Sequence, residues 1–227
     1  MDIARRMHNG FTTEVVYTYS KSIDDSSALG GGSLGGLAQN WLDLEGERGP
    51  SSFDQRHVVN ITTQYTTGMG MGGGTLLSGW RGHLIKGWTV NNRITAGTGL
   101  PLTPIYPEIV QGGIGNSVRA SYTGASLYDA PPGYLLNPLA ISAPLPGQWG
   151  DAGRDSMRGP FQFSMGGQMQ RAFRLNDRFN LQLNITASNP LNHPMITNVY
   201  TTLNTQFGLP SGVSGMRSVT TYLRLSF

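Results

Sequence analysis

The sequence predicts an all-β chain, an antiparallel up-and-down segment of a transmembrane β-barrel with about six long strands and long loops outside the cell. Three observations carry that prediction. Apolar and polar residues alternate at period two through six runs, and the polar positions hold Asn, Gln, Ser and Thr in place of Lys and Glu. In addition, long and shorter connections alternate between the runs, as they do in outer-membrane barrels.

The runs follow one another along the chain. Gly10 to Ser20 sets Phe11, Val15, Tyr17 and Tyr19 against Thr12, Glu14, Thr18 and Ser20. Val58 to Tyr65 sets Val59, Ile61 and Tyr65 against Asn60, Thr62 and Gln64, and the less regular Ile85 to Ala96 sets Trp88, Val90, Ile94 and Ala96 against Thr89, Asn91, Arg93 and Thr95. Pro160 to Phe173 places Phe161, Phe163, Met165, Met169 and Phe173 on one face. Arg178 to Ala187 gives the clearest alternation, with Phe179, Leu181, Leu183, Ile185 and Ala187 opposed to Asn180, Gln182, Asn184 and Thr186. The last run, Met216 to Phe227, opposes Val219, Leu223, Leu225 and Phe227 to Thr220, Tyr222, Arg224 and Ser226. Val16 and Asn92 interrupt the pattern.

Strands of this kind turn a greasy side to lipid and a wettable side to a lumen. A soluble sheet alternates too, but its polar face meets bulk water and carries Lys and Glu. Here Lys21 and Lys86 are the only lysines, and charged residues make up 13% of the chain, against roughly a quarter in an ordinary soluble domain. No apolar run approaches the roughly eighteen residues of a membrane helix. Ile61, Phe163, Leu181, Leu183, Leu223 and Leu225 are therefore expected to face lipid, and Gln64, Asn180, Gln182, Asn184 and Arg224 the lumen.

The connections span residues 23–53, 68–84, 104–159, 175–177 and 190–215, long alternating with shorter. With the long ones outside the cell, the first run goes outward and the last comes inward, so the C-terminus lies in the periplasm. In that orientation Phe11, Tyr65, Trp88, Phe173, Phe179 and Phe227 gather near the periplasmic ends of their strands, where an aromatic girdle belongs.

Other chemistries find little support. The net charge is +3, yet the arginines are scattered among loops and strand ends without interleaved aromatics, so nucleic acid is not an expected partner. Cysteine is absent. GGGSLG (Gly30 to Gly35) and GMGMGG (Gly68 to Gly73) match the spacing G-x-G-x-x-G, but neither leads into a convincing βαβ unit, which a dinucleotide site needs. Asp24, Asp25, Asp43, Glu45 and Glu47 concentrate carboxylates in the first long loop without EF-hand spacing, and read as a solvated loop. His8, His57, His83 and His193 lack the short spacing of a zinc site, and there is no G-x-S-x-G elbow. The chain is thus expected to be no enzyme and to carry no cofactor or metal. Asp54, Glu14 and Arg56 are the more informative charges: strand parity turns Glu14 and Arg56 into the lumen, where a structural pairing is preferred over contact with substrate.

Six stretches in register give the chain a family resemblance. VVYTYSKSIDD (Val15 to Asp25), SFDQRHVVNITTQY (Ser52 to Tyr65), GWTVNNRITAGTGLPLT (Gly87 to Thr103), FNLQLNITASNPLNHP (Phe179 to Pro194), QFG (Gln206 to Gly208) and the closing YLRLSF resemble the C-terminal barrel of TonB-dependent outer-membrane receptors, specifically the Oar-like group. The resemblance implies a 22-stranded barrel with an N-terminal plug and a TonB box, and energy-coupled uptake of a substrate. It also implies as partners outer-membrane lipid, the remainder of the receptor (plug and N-terminal strands), and TonB acting through that plug. None of these further parts is in the sequence.

Geometry points the same way, because six strands are fewer than the eight of the smallest single-chain bacterial barrels, and an open sheet leaves two unpaired edges. Residues 1–227 are accordingly read as the C-terminal part of a larger barrel. MDIARRMHNG shows no signal-peptide pattern, which agrees with that reading. Closure with copies of itself, a non-transport surface barrel and a soluble β protein are the alternatives.

The ending YLRLSF resembles the signal by which the barrel-assembly machinery recognises its clients, a C-terminal aromatic preceded by apolar residues at alternate positions. Leu223, Leu225 and Phe227 are therefore expected to serve membrane insertion rather than ligand binding. Deleting Phe227 from the full-length parent is predicted to lower its outer-membrane level on immunoblots while leaving the substrate affinity of the surviving molecules unchanged.

Overall fold

Among the described residues seven strands, not six, form one antiparallel sheet in the order of the chain. The computed structural model describes residues 1–26, 38–68, 79–108, 118–176 and 178–227. The barrel strands are β1 (Asp2–His8), β2 (Phe11–Tyr19), β3 (His57–Thr66), β4 (Thr89–Gly97), β5 (Gln162–Arg174), β6 (Asn180–Ser188) and β7 (Ser218–Ser226). All six expected runs became strands. The addition is β1, whose charged sequence DIARRMH shows little alternation.

What makes β1 a strand is the turn that follows it. Asn9 and Gly10 both have positive φ, 52° and 80°, and His8 pairs with Phe11 across them. Asn-Gly with left-handed backbone at both positions is the signature of the type I′ hairpin, whose twist matches that of the flanking strands. At the other tight turn, Asn176 Oδ1 accepts from the backbone N–H groups of Arg178 and Phe179 (3.0 and 2.8 Å), and Leu175 N–H donates to the Phe179 carbonyl. This side-chain bond mimics a backbone turn and reverses the chain between β5 and β6.

The register sorts the side chains as the alternation requires. One face carries the row Val15, Ile61, Ile94, Met165 and, toward the C-terminal edge, Phe173, Leu181, Leu225. The other carries Thr12, Gln64, Asn91, Gln168, Thr186 and Thr220. Side chains on the polar face bond one another, Thr95 Oγ1 to Asn60 Oδ1 at 2.9 Å and Gln168 Nε2 to Asn184 Oδ1 at 3.1 Å. Asn92, the interruption on the apolar face, is opposite Gly167, where a Cβ would come within 3.1 Å of its Oδ1. The missing side chain makes its room.

The aromatic girdle forms at the expected end of the strands. Phe11 and Tyr65 are direct partners, and Trp88 meets Phe173 edge to face at 6.3 Å between ring centroids. A short helix also occupies this end. It is α1 (Gly79–Ile85), in the connection expected only to be Gly-rich. GGGSLG falls wholly, and GMGMGG almost wholly, outside the described residues.

The apolar face of the sheet makes no core. Leu223 is 65% exposed and Leu225 52%, and the buried apolar cluster of Ala120, Leu136, Ile141, Met157, Val199 and Phe207 lies entirely in the long connections. Burial in lipid is what such a surface requires. Replacing Ile185 with Arg, mid-strand on this face, is predicted to cost about 2–4 kcal/mol, measured by reversible urea unfolding in lipid. Thr186→Arg, one residue away on the polar face, is expected to cost far less.

Candidate functional site: the folded loop cap

Three long connections leave the same end of the sheet, and the structure folds them into one cap. In the connection between β2 and β3, Ile23–Asp24 pairs with Gly49–Pro50. In that between β4 and β5, Pro101–Leu102 pairs with Met157–Arg158, Ile105–Tyr106 with Val118–Arg119, and Ser121–Tyr122 with Ile141–Ser142. In that between β6 and β7, Ile196–Val199 pairs with Pro210–Val213. Each ladder is short because the connections lack period-two alternation. What joins the second and third connections is the apolar cluster, with Val199 and Phe207 of the third packed among residues of the second. Phe207 is 1% exposed. Gly208 beside it has φ +82° and lies against the Leu136 carbonyl, where a Cβ would clash. The QFG stretch is therefore a packing unit.

The first connection is attached by charge. Three arginines of the second connection reach three of its carboxylates. Arg119 Nη1 donates to Glu47 Oε2 at 2.7 Å, Arg154 pairs with Asp24, and Arg158 pairs with Asp54. Arg154 also donates through Nε to the Glu47 carbonyl at 2.8 Å and pairs with Asp155 at 3.2 Å. Gln39 completes the seam, accepting from Arg119 N–H and donating to the Gly150 carbonyl, both at 3.1 Å. Gly150 in turn runs so close to the Arg119 carbonyl that any Cβ would overlap it.

Burial makes these pairs count. Glu47, Asp54, Arg119 and Arg154 are all buried, and a buried charge left without its partner costs several kcal/mol. Burial pulls the Asp54 carboxyl upward, but the hydrogen bond from Arg158, the backbone N–H of Ser22 and the charges of Arg158 and Arg56 outweigh it and hold the group below its ordinary 3.8. Asp155 goes the other way: burial raises it despite bonds from Thr103 and Arg154. Of the carboxylates expected to be a solvated loop, Asp24 and Glu47 are thus committed to arginine, whereas Asp25, Asp43 and Glu45 are exposed. Among the described residues no three metal-ligating side chains converge.

A family model for an outer membrane beta barrel domain matches residues 1–220. The chain belongs to that family. No curated protein and no solved structure is matched. As an outer-membrane β-barrel domain the chain resides in the outer membrane of a Gram-negative bacterium, with its apolar face to lipid. The loop-length asymmetry then sets the cap on the cell surface and the girdle at the periplasmic edge.

The expected site residues separate in this barrel domain. Leu223 and Leu225 pair with Leu183 and Leu181, and among the described residues β7 has β6 as its one neighbour, with Phe227 97% exposed just beyond it. Glu14 is exposed on the polar face, opposite Ala4 and Thr62, with Arg93 one strand further. Arg56 lies at the external end of β3, about six residues and roughly 20 Å of strand from the Glu14 row, so the two do not pair. It helps instead to hold Asp54 ionised and lines a cleft of about 360 Å³ with Thr98, Arg158 and Phe161. A second cleft, about 250 Å³, opens along the charged seam among Gln39, Asp43, Arg119, Trp149 and Asp151.

Arg119, Arg154 and Arg158 were the residues sequence reasoning missed. Their carboxylate partners are about 70 to 130 positions away, and no local pattern pairs them. Removing one is predicted to open the seam: Arg158→Ala leaves Asp54 buried without its ion-pair partner, costing about 3–5 kcal/mol of local stability, read as faster amide exchange at residues 51–54 and 98–106. The pair replacement Asp54→Asn with Arg158→Met should recover most of it. Asp54 stabilises the cap at every pH above 3.8 and loses that contribution as pH falls below it through the lower folded value, whereas Asp155 favours the cap as pH falls through its raised value.

Proposed function

We propose that the chain forms the C-terminal part of the barrel of a TonB-dependent outer-membrane receptor, in which the loop cap meets substrate at the cell surface and the polar sheet face lines its route inward. The observation that carries this reading is the cap itself. The second and third loops share one apolar cluster, and a seam of buried ion pairs binds the first loop to the second, which gives the external face a fixed shape with two clefts. Preorganised concave surfaces with a few convergent polar groups suit ligand capture. The six stretches shared with Oar-like receptors supply the link to energy coupling. On this reading the chain is no enzyme and needs no cofactor, since its buried charges serve shape. Its partners are outer-membrane lipid, the assembly machinery, the plug and N-terminal strands of the receptor, and TonB through the plug.

The test compares compounds depleted from spent medium, by mass spectrometry, in cells with the intact parent protein, without it, and without TonB. The expected result is at least one compound whose depletion needs both. Depletion that needs the parent and not TonB would make the barrel a passive pore. No parent-dependent depletion at normal surface levels would make it a non-transport surface barrel.

A further inference from the structure

The periplasmic edge carries a helix built inside out. α1 (Gly79–Ile85) exposes Trp80, Leu84 and Ile85 at 69, 61 and 49%, while Gly82 is buried. In a water-soluble setting those apolar side chains would turn inward and the glycine outward. The helix is fastened on the lipid side of the sheet. Arg171, which shares a face with Leu183 and Leu223, donates to the carbonyls of His83 and Leu84. Trp88 Nε1 donates to the Leu84 carbonyl at 2.9 Å. The Arg171 guanidinium also lies 4.4 Å from the Phe173 ring centroid and 5.6 Å from that of Trp88.

A guanidinium on a lipid-facing position is tolerated where it can reach the polar interface. Here it is satisfied at the last turn of α1, where the free carbonyls of a helix favour a cation. Charge adds a direction. Lys86 and Arg178, in the turns at this edge, are exposed and basic, and Asp177 is the sole carboxylate that the sequence sets among them. Ten of the thirteen Asp and Glu residues lie in the connections at the opposite edge.

From these observations we infer that α1 is an interfacial anchor, lying in the periplasmic leaflet with Trp80, Leu84 and Ile85 among the acyl chains and Lys86 and Arg178 toward anionic phospholipid headgroups. Amphipathic helices with a tryptophan-bearing apolar face and basic flanks bind membrane surfaces in this way. Arg171 acts as the staple that fixes α1 at the girdle. The inference rests on the membrane placement of the sheet and is independent of the uptake reading.

The absence of cysteine permits a clean test. Leu84→Cys in the full chain, labelled with a small fluorophore, is reconstituted into vesicles holding nitroxide-labelled acyl chains, with and without about one third phosphatidylglycerol. The expected result is loss of at least half the emission to the nitroxide, and about twofold more quenching when the anionic lipid is present. Emission quenched by aqueous iodide instead would place the helix in water and overturn the proposal, and protection from both quenchers would show that protein covers it and overturn it equally. Equal quenching in the two lipid mixtures would remove the headgroup preference. Arg171→Gln should shift the probe to iodide while circular dichroism keeps the β signature; no shift in a folded variant would remove the staple.

Discussion

A strand in lipid has no water to satisfy its backbone, so every N–H and C=O must find a partner on the next strand. The unbroken ladder from β2 to β7 follows from that requirement, and most of the molecule follows from the ladder. Because side chains alternate at period two, a slip of one residue would move every apolar side chain to the lumen and every amide to the acyl chains. Register and face are therefore one constraint. The polar partners on the inner face, Thr95 with Asn60 and Gln168 with Asn184, reinforce it.

The chain lives in two solvents and solves each differently. Within the membrane it exposes leucine and lets lipid do the burying. Above the membrane it returns to the rule of water-soluble proteins, with Phe207, Leu136 and Met157 inside. The cap is small for a core of its own, and the arginine pairs supply what the apolar cluster lacks in specificity. Buried ion pairs contribute modestly to net stability, yet they penalise any arrangement that separates the partners. Arg119, Arg154 and Arg158 thereby determine which segment of the first connection lies against which segment of the second.

The parts legible in the sequence were those governed by a local period. Arg178 to Ala187 alternates so cleanly that β6 could be placed to within two residues at its N-terminal end and one at the other. Strand β1 escaped because its alternation is poor, although Asn9-Gly10 was a hairpin signal in plain sight. Helix α1 escaped because seven residues with two glycines make a weak helical pattern. The cap escaped for a deeper reason. Its partners, such as Asp24 with Arg154 or Leu136 with Phe207, are brought together by the sheet beneath them, and nothing in either neighbourhood names the other. Among the expected site residues, placement on a face was readable from parity, whereas the separation of Glu14 from Arg56 along the strand axis decided against a pair.

The shared seam of the cap has a consequence for how the cell is seen from outside. Anything that approaches the surface over this domain, whether an antibody or a phage tail fibre, meets a discontinuous epitope assembled from three distant stretches of chain. A peptide copied from one loop lacks the neighbours that shape it, because Glu47, Arg119 and Gln39 hold their positions through one another. Sera raised against such peptides would recognise the denatured chain and miss the native surface. Escape from a binder of the native face is correspondingly constrained, since a change at the seam that evades recognition also unsettles the loops on both sides of it.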